Sequence, residues 1–446
     1  MRNEEGRQPA TDGYGYYVLA VLTAIYTFSS IDRTLLSVLA EPIKNEFHLS
    51  DGELGALTGL AFAVAYALAG IPLGLMLDRM SRVRVLGGLL AIWSGMTLLT
   101  GFANSAFHML LARIGVAASE SGASPASMGI ITDYFPKERR GLALSVFYAS
   151  APIAVGITFA AGSAVAAAFG WRAAFMLAAL PGLILAPILI LTVREPLRGR
   201  FDGQAGPRRP PASLDAAIKA LLAHPALLWL ILGAVCVVVA QAGLSAFMSP
   251  FLIRVHDLSL DQAGSAVGLA NGPSGVIGIL VGGVLADRLS RISTHAAPQV
   301  VGSLMLVTAM CALGALMVSD WHVAVALVAA YTFFLHTYYG TTFATYMSVA
   351  PVAMRGALAA LLAVLMNLGG YGFGPPLTGI ASDMFAALGH AQPLRSGMIF
   401  VSLFFVLGSF GFYAAARSIR RMPIEDLGVP PSEADEMAGP AELQSS

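Results

Sequence analysis

Apolar residues run along the chain in long blocks, punctuated by short clusters rich in Gly, Pro, Asn, Asp and Arg. A helix needs about 20 such residues to cross a hydrocarbon core of about 30 Å. The pattern predicts twelve helices, near 14–40, 53–77, 84–102, 106–134, 140–168, 172–193, 226–255, 262–286, 297–318, 322–349, 356–386 and 396–418. Between the sixth and seventh lies REPLRGRFDGQAGPRRPPASLDAAIK, whose Pro, Gly and Arg content reads as a linker. The expected organisation is a polar tail over 1–13, a six-helix bundle over 14–193, a linker over 194–225, a second bundle over 226–418 and a tail over 419–446 that is polar, acidic and expected to be disordered.

Composition agrees with an all-α polytopic membrane protein. The 446 residues are 57% hydrophobic and only 12% charged, with a mean hydropathy of +0.73. Soluble domains carry about 25% charged residues, so too few are present here to coat water-facing domains. Net charge is zero and no basic tract points to nucleic acid. Cys236 and Cys311 both sit in apolar runs and read as inert thiols. The segment MRNEEGRQPATDG is charged and reads as a tail, not a secretory leader. With both termini in the cytoplasm, 20 of the 26 Lys and Arg fall on the inner side, four fall outside, and Arg33 and Arg113 remain within helices. That bias is the positive-inside pattern of a multi-pass inner (plasma) membrane protein.

The two bundles repeat one another. GLMLDRMSR (Gly74–Arg82) returns as GVLADRLSR (Gly283–Arg291), 209 residues later. At the same offset HLSDGELG (His48–Gly55) falls on DLSLDQAG (Asp257–Gly264), and at an offset of 215 YFPKERRG (Tyr134–Gly141) resembles VAPVAMRG (Val349–Gly356). Parallel repeats of six helices, with G-x-x-x-D-R-x-S-R loops after helices 2 and 8, resemble the major facilitator superfamily. That resemblance implies a substrate site near mid-membrane between the bundles. The loops read as a cytoplasmic gate made of Gly74, Asp78, Arg79, Arg82 and Arg140, repeated as Gly283, Asp287, Arg288, Arg291 and Arg355. Asp78 and Asp287 are expected to meet Arg side chains and the positive ends of helices 11 and 5 across the interface, holding that side shut.

Only Asp32, Arg33, Arg113 and Glu120 place formal charge well inside helices, where a charge costs about 2.5–3.5 kcal/mol on insertion scales. Helical rise puts Asp32 and Arg113 at a common depth, which predicts an ion pair between helices 1 and 4. Arg33 shares a helical face with Tyr26, Ser30 and Ser37, a polar stripe suited to a cavity wall. Arg113, Glu120 and Ser124 share one face of helix 4. Asp32, Arg113 and Glu120 are the proton-coupling candidates, and Arg33 is the candidate for binding an anionic group. A static salt bridge that fixes helix packing is the competing reading.

The second bundle lacks such charges. At the repeat offset Asp32 falls on Gln241, and helix 10 presents Tyr331, Tyr338, Thr342 and Tyr346 on one face near His336. These residues, with Asn271 of the NGPSG break in helix 8, complete the expected substrate wall. Pro273 is expected to break helix 8, and GGYGFGPPLTG (Gly369–Gly379) to make helix 11 bendable.

IDR in helix 1, LLARIGVAASESGASPASMGIITDYFP (Leu110–Pro136) in helix 4 and the loop copies together resemble the spinster family within that superfamily. The resemblance implies proton-coupled transport by alternating access, with the helix 1 Asp and helix 4 Arg as central charges. It also implies lysolipid or sphingoid phosphate substrates, as in animal members. The expected protein is a bacterial, monomeric carrier of a small amphipathic organic anion, driven by the proton gradient and needing no metal or other cofactor. Carriage of a hydrophilic carboxylate or a drug is the alternative, and a non-transporting sensor is a third. An enzyme is disfavoured because no metal spacing or nucleophile–base motif occurs.

Overall fold

The computed structural model describes residues 13–201, 214–290, 292–351 and 354–422. Twelve helical spans follow one another: α1 (Gly13–Val38), α2 (Asp51–Arg79), α3 (Arg82–Thr100), α4 (Ala106–Glu120 and Ala123–Tyr134), α5 (Glu138–Phe169), α6 (Trp171–Thr192), α7 (Pro225–His256), α8 (Leu260–Ser290), α9 (Ala296–Met317), α10 (Trp321–Val349), α11 (Ala357–Ala387) and α12 (Pro393–Arg420). Among the described residues, eleven helices are long and apolar enough to cross a membrane. The twelfth span is α4, which the sequence pattern reads as one helix but which is interrupted at Ser121–Gly122. An even number of spans puts Gly13 and Arg420 on one face, here called the terminal face; the opposite face is called distal. Short helices Ala40–Phe47 and Leu214–Ala223 lie in the α1–α2 connection and in the linker.

Two backbone expectations met different fates. The helix of α8 runs on through Pro273 instead of breaking. Its neighbours Gly268 and Gly272 let α5 approach closely at Gly156, so packing holds the segment helical despite the proline. In α11 the backbone loosens into a π-type turn over Met366–Tyr371 before restarting at Gly374. Similar turns occur in α2 (Ala56–Leu60) and α5 (Thr158–Gly162). All three lie on helices that face the other bundle, where such bulges favour local rearrangement.

The internal repeat survives as backbone geometry. His48 and Asp257, 209 residues apart, are the two non-glycine residues with positive φ among those described, both at 54°. Each ends one segment and turns the chain toward the next span. A full capping box follows the first and half of one follows the second. Ser50 N–H donates to Glu53 Oε2 at 2.8 Å and Glu53 N–H to Ser50 Oγ at 3.1 Å, while Ser259 N–H donates to Gln262 Oε1 at 3.1 Å. Gly170, at φ 83°, makes the α5–α6 turn in a conformation that side chains disfavour.

The apolar packing divides unevenly. One continuous core joins the C-terminal bundle to the distal part of the N-terminal bundle, through Leu35, Ile43, Leu54, Phe159 and Phe175. A second core, with Leu22, Leu77, Leu86, Ile130 and Phe147, belongs to the N-terminal bundle alone, toward the terminal face. The bundles are therefore packed together distally and part toward the chain ends. Exposed Leu68, Leu191, Leu280 and Phe410 belong to the outer apolar surface expected in lipid.

Candidate functional site

Where the bundles part, a cavity of about 440 Å³ opens between them, walled by α1, α2, α4, α5, α7, α8, α10 and α11. Of the residues singled out in the sequence, Tyr26, Arg33, Ser37, Arg113, Gln241, Asn271, Tyr331 and His336 line it. Ser124, Tyr338, Thr342 and Tyr346 do not. Tyr338 and Tyr346 are fully buried within the C-terminal bundle, Tyr338 against Phe412 and Tyr346 with its hydroxyl on the carbonyl of Leu358 at 3.1 Å. The stripe on α10 is therefore mostly packing, because bundle neighbours cover it below Tyr331. Ser124 follows the interruption in α4, which removes it from the face of Arg113.

The four intramembrane charges do meet, but with exchanged partners. Glu120 is fully buried and pairs with Arg33, Nε to Oε1 at 2.6 Å. Ser29 Oγ donates to the same oxygen. Arg113 does not form the expected ion pair with the Asp32 carboxylate; its Nη1 donates to the main-chain carbonyl of Asp32 at 3.2 Å. Asp32 is buried behind the cavity wall, and Asp32 Oδ1 and Glu120 Oε2 each lack a hydrogen-bond partner. Both guanidinium groups sit over aromatic faces, Arg33 at 5.0 Å from Tyr66 and Arg113 at 5.0 Å from Phe62. Such contacts hold a cation in place without neutralising it.

The opposite wall is neutral and ordered by hydrogen bonds. Tyr339 O–H donates to Gln241 Oε1 at 2.6 Å, and Thr332 O–H donates to Asn271 Oδ1 at 2.8 Å. Sequence reading missed Phe62, Tyr66, Asn367 and Tyr371. Asn367 and Tyr371 flank the glycines that loosen α11, so the irregular backbone was the available signal.

The distal face is closed by a charge network. Asp51, at the start of α2, accepts both oxygens' worth of hydrogen bonds from Arg254 Nη1 of α7, at 3.0 Å each. It also takes Lys44 Nζ at 2.5 Å and Ser382 Oγ of α11 at 2.6 Å. Arg254 Nη2 reaches Glu41 at 2.6 Å. The Asp383 carboxylate accepts the N–H groups of Asp51 and Gly52, at 3.1 and 2.8 Å, capping the positive end of α2 from the other bundle. Any side chain at Gly55 or Gly379 would collide with α11 or α2 backbone here. The repeat-related contact, α5 on α8, closes through Gly156, Gly264 and Gly268. None of this network was foreseen, because Asp51 has no copy at the repeat offset, where Leu260 stands.

On the terminal face the Asp78 side of the expected interbundle latch is not made among the described residues. Asp78 is exposed and its carboxylate forms no ion pair among the described residues. Arg82 pairs instead with Asp133 of its own bundle at 2.7 Å, and Arg198 binds the carbonyls of Leu77, Asp78 and Met80. Arg140 and Arg355 each donate to the carbonyl five residues back, Phe135 and Ala350, at 3.0 and 3.3 Å. Arg79, Asp287 and Arg288 are exposed, Gly74 and Gly283 face open space, and Arg291 lies outside the described residues.

The family pattern of the Major Facilitator Superfamily matches residues 22–375. The chain belongs to the major facilitator superfamily. Like other transporters of that superfamily, it embeds in a membrane and handles a small-molecule substrate. This major facilitator transporter is 31% identical to an MFS-type efflux pump of Mycolicibacterium smegmatis, over 92% of its own length and 94% of the pump's. It is 25% identical to the sphingosine-1-phosphate transporter SPNS2 of Danio rerio, over 92% of the chain and 88% of that protein. Its structure is similar to the crystal structure of a bacterial homolog of the human lysosomal transporter Spinster, in an inward-facing and unoccupied conformation. That similarity has a TM-score of 0.81 at 27% identity, covering 94% of this chain and 100% of the other.

Proposed function

We propose that the protein moves a small amphipathic organic anion, a lysolipid or lipid-like acid, across a bacterial plasma membrane by proton-coupled alternating access. One observation carries the reading: a single site unites two cavity-lining arginines with two buried carboxyls, each with an oxygen lacking a partner. If all four groups are ionised, the site is neutral. A proton on Asp32 leaves one positive charge in excess, and an anion at Arg33 and Arg113 restores neutrality. Occupancy by proton and by anion is thereby linked through charge in a low-dielectric setting. The Lys and Arg bias supports chain ends in the cytoplasm, and with that orientation this conformation opens inward. Closing Asp78 against the other bundle while the Asp51 network breaks would complete the cycle.

The test is made in liposomes holding a pH-sensitive dye, with imposed gradients of lysophospholipid, sphingoid phosphate or simple organic acid. One of these should drive proton movement in the wild type, and Asp32→Asn should abolish it. Equal ligand movement in both proteins without a pH change would sink the coupling role.

A second reading is export of a hydrophobic drug-like compound, favoured by the likeness to the mycobacterial efflux pump across nearly the whole chain. Movement of ethidium against its gradient, with no response to any anion, would select it.

A further inference from the structure

The cavity wall from the C-terminal bundle carries no formal charge, yet its polar groups are not interchangeable. His336 Nδ1 lies 2.8 Å from the main-chain oxygen of Thr332, one turn earlier. A carbonyl oxygen only accepts, so Nδ1 bears the proton and Nε2 of the neutral ring is an acceptor. No side chain covers that nitrogen from α8, because the residue opposite is Gly275. A Cβ there would lie 3.6 Å from Nε2. The neighbouring amides have the other polarity. Asn271 and Gln241 use their oxygens on Thr332 and Tyr339, which leaves their amide hydrogens for the cavity. Arg33 and Arg113 have only hydrogens to give.

We infer that His336 determines specificity by accepting, at Nε2, a hydroxyl or ammonium hydrogen of the substrate while its anionic group sits at Arg33 and Arg113. The inference rests on the anion-transport reading above and sharpens it. An anion and an apolar chain do not suffice, and the best ligand also carries a hydrogen-bond donor on the side away from the arginines. The hydroxyls of Thr34 and Thr58, which donate to Ser30 and Leu54 carbonyls, lie on the other bundle and do not substitute.

The test is equilibrium binding to the full-length protein in nanodiscs. The probes are lysophosphatidic acid, its analogue with the glycerol hydroxyl methylated, and hexadecyl phosphate. One hydrogen bond corresponds to about a tenfold preference for the free hydroxyl over the methyl ether. His336→Leu should lower lysophosphatidic acid affinity to that of the ether and leave the ether unchanged. His336→Gln, which keeps an acceptor, should retain most of the preference. If the wild type binds all three probes alike, or if His336→Leu weakens all three equally, His336 only packs and the inference is overturned. If no phosphate probe binds the wild type, the anion reading itself fails and this inference falls with it.

Discussion

Asp51→Asn isolates what the distal closure is worth. The substitution keeps the shape of the side chain and its contact with Ser382, but it removes the charge that Arg254 and Lys44 share. Arg254 belongs to α7 and Asp51 to α2, so the lost interaction is one that exists only while the distal ends of the bundles touch. Asp51 is nearly buried, with a side-chain exposure of 6%, whereas Arg254 retains 22% and keeps Glu41 as a partner. A charged hydrogen bond of this kind contributes about 1.5–3 kcal/mol. With Glu41 still present, a loss of about 2 kcal/mol is expected, roughly a thirtyfold shift toward the distally open conformation. Spin labels on cysteines at Asn104 and His390, exposed distal-loop positions on opposite bundles, would report it as a second, longer distance in pulsed spectroscopy. A distance distribution identical to wild type would refute the assignment of this network as an interbundle lock, because the mutation touches little else.

Two further outcomes follow from the site. Arg33→Gln strips the ion-pair partner from a fully buried Glu120. Discounted for the 37% exposure of the Arg33 side chain, it should cost about 2 kcal/mol in detergent thermal unfolding, and the double variant with Glu120→Gln should recover most of that. No recovery would mean that Arg33 acts by packing on Phe62 and Tyr66. Tyr338→Phe deletes a buried hydroxyl that has no partner, so stability should hold or rise by up to about 1 kcal/mol, with transport unchanged. A transport defect would return Tyr338 to the substrate wall.

The sequence by itself determined the membrane class, the succession of spans, the duplication and the unusual charges on α1 and α4. The physical reason is that lipid imposes a local rule. Each span must satisfy its own backbone and present apolar side chains, so the length and content of a block suffice to reveal it. The cap sequences His48–Glu53 and Asp257–Gln262 are likewise local and carried the repeat through to the backbone. The facing of Arg33 toward the cavity and the burial of Asp32 also follow from position on a single helix.

Partnership is not local, and there the tertiary structure decided. Depth placed Asp32 beside Arg113, but arginine side chains are long enough to pass a near neighbour, and Arg33 took Glu120 while Arg113 took a carbonyl. The face of α10 looked continuous because helical periodicity cannot tell a cavity from a neighbouring helix; packing in the C-terminal bundle covered Tyr338 and Tyr346 and left Tyr331 and His336 at the cavity edge. The Asp51–Arg254 lock joins residues 203 apart in the chain and has no counterpart in the repeat. It exists only because the two bundles close against each other on that side and part on the other, which is a property of one conformation and not of any single helix.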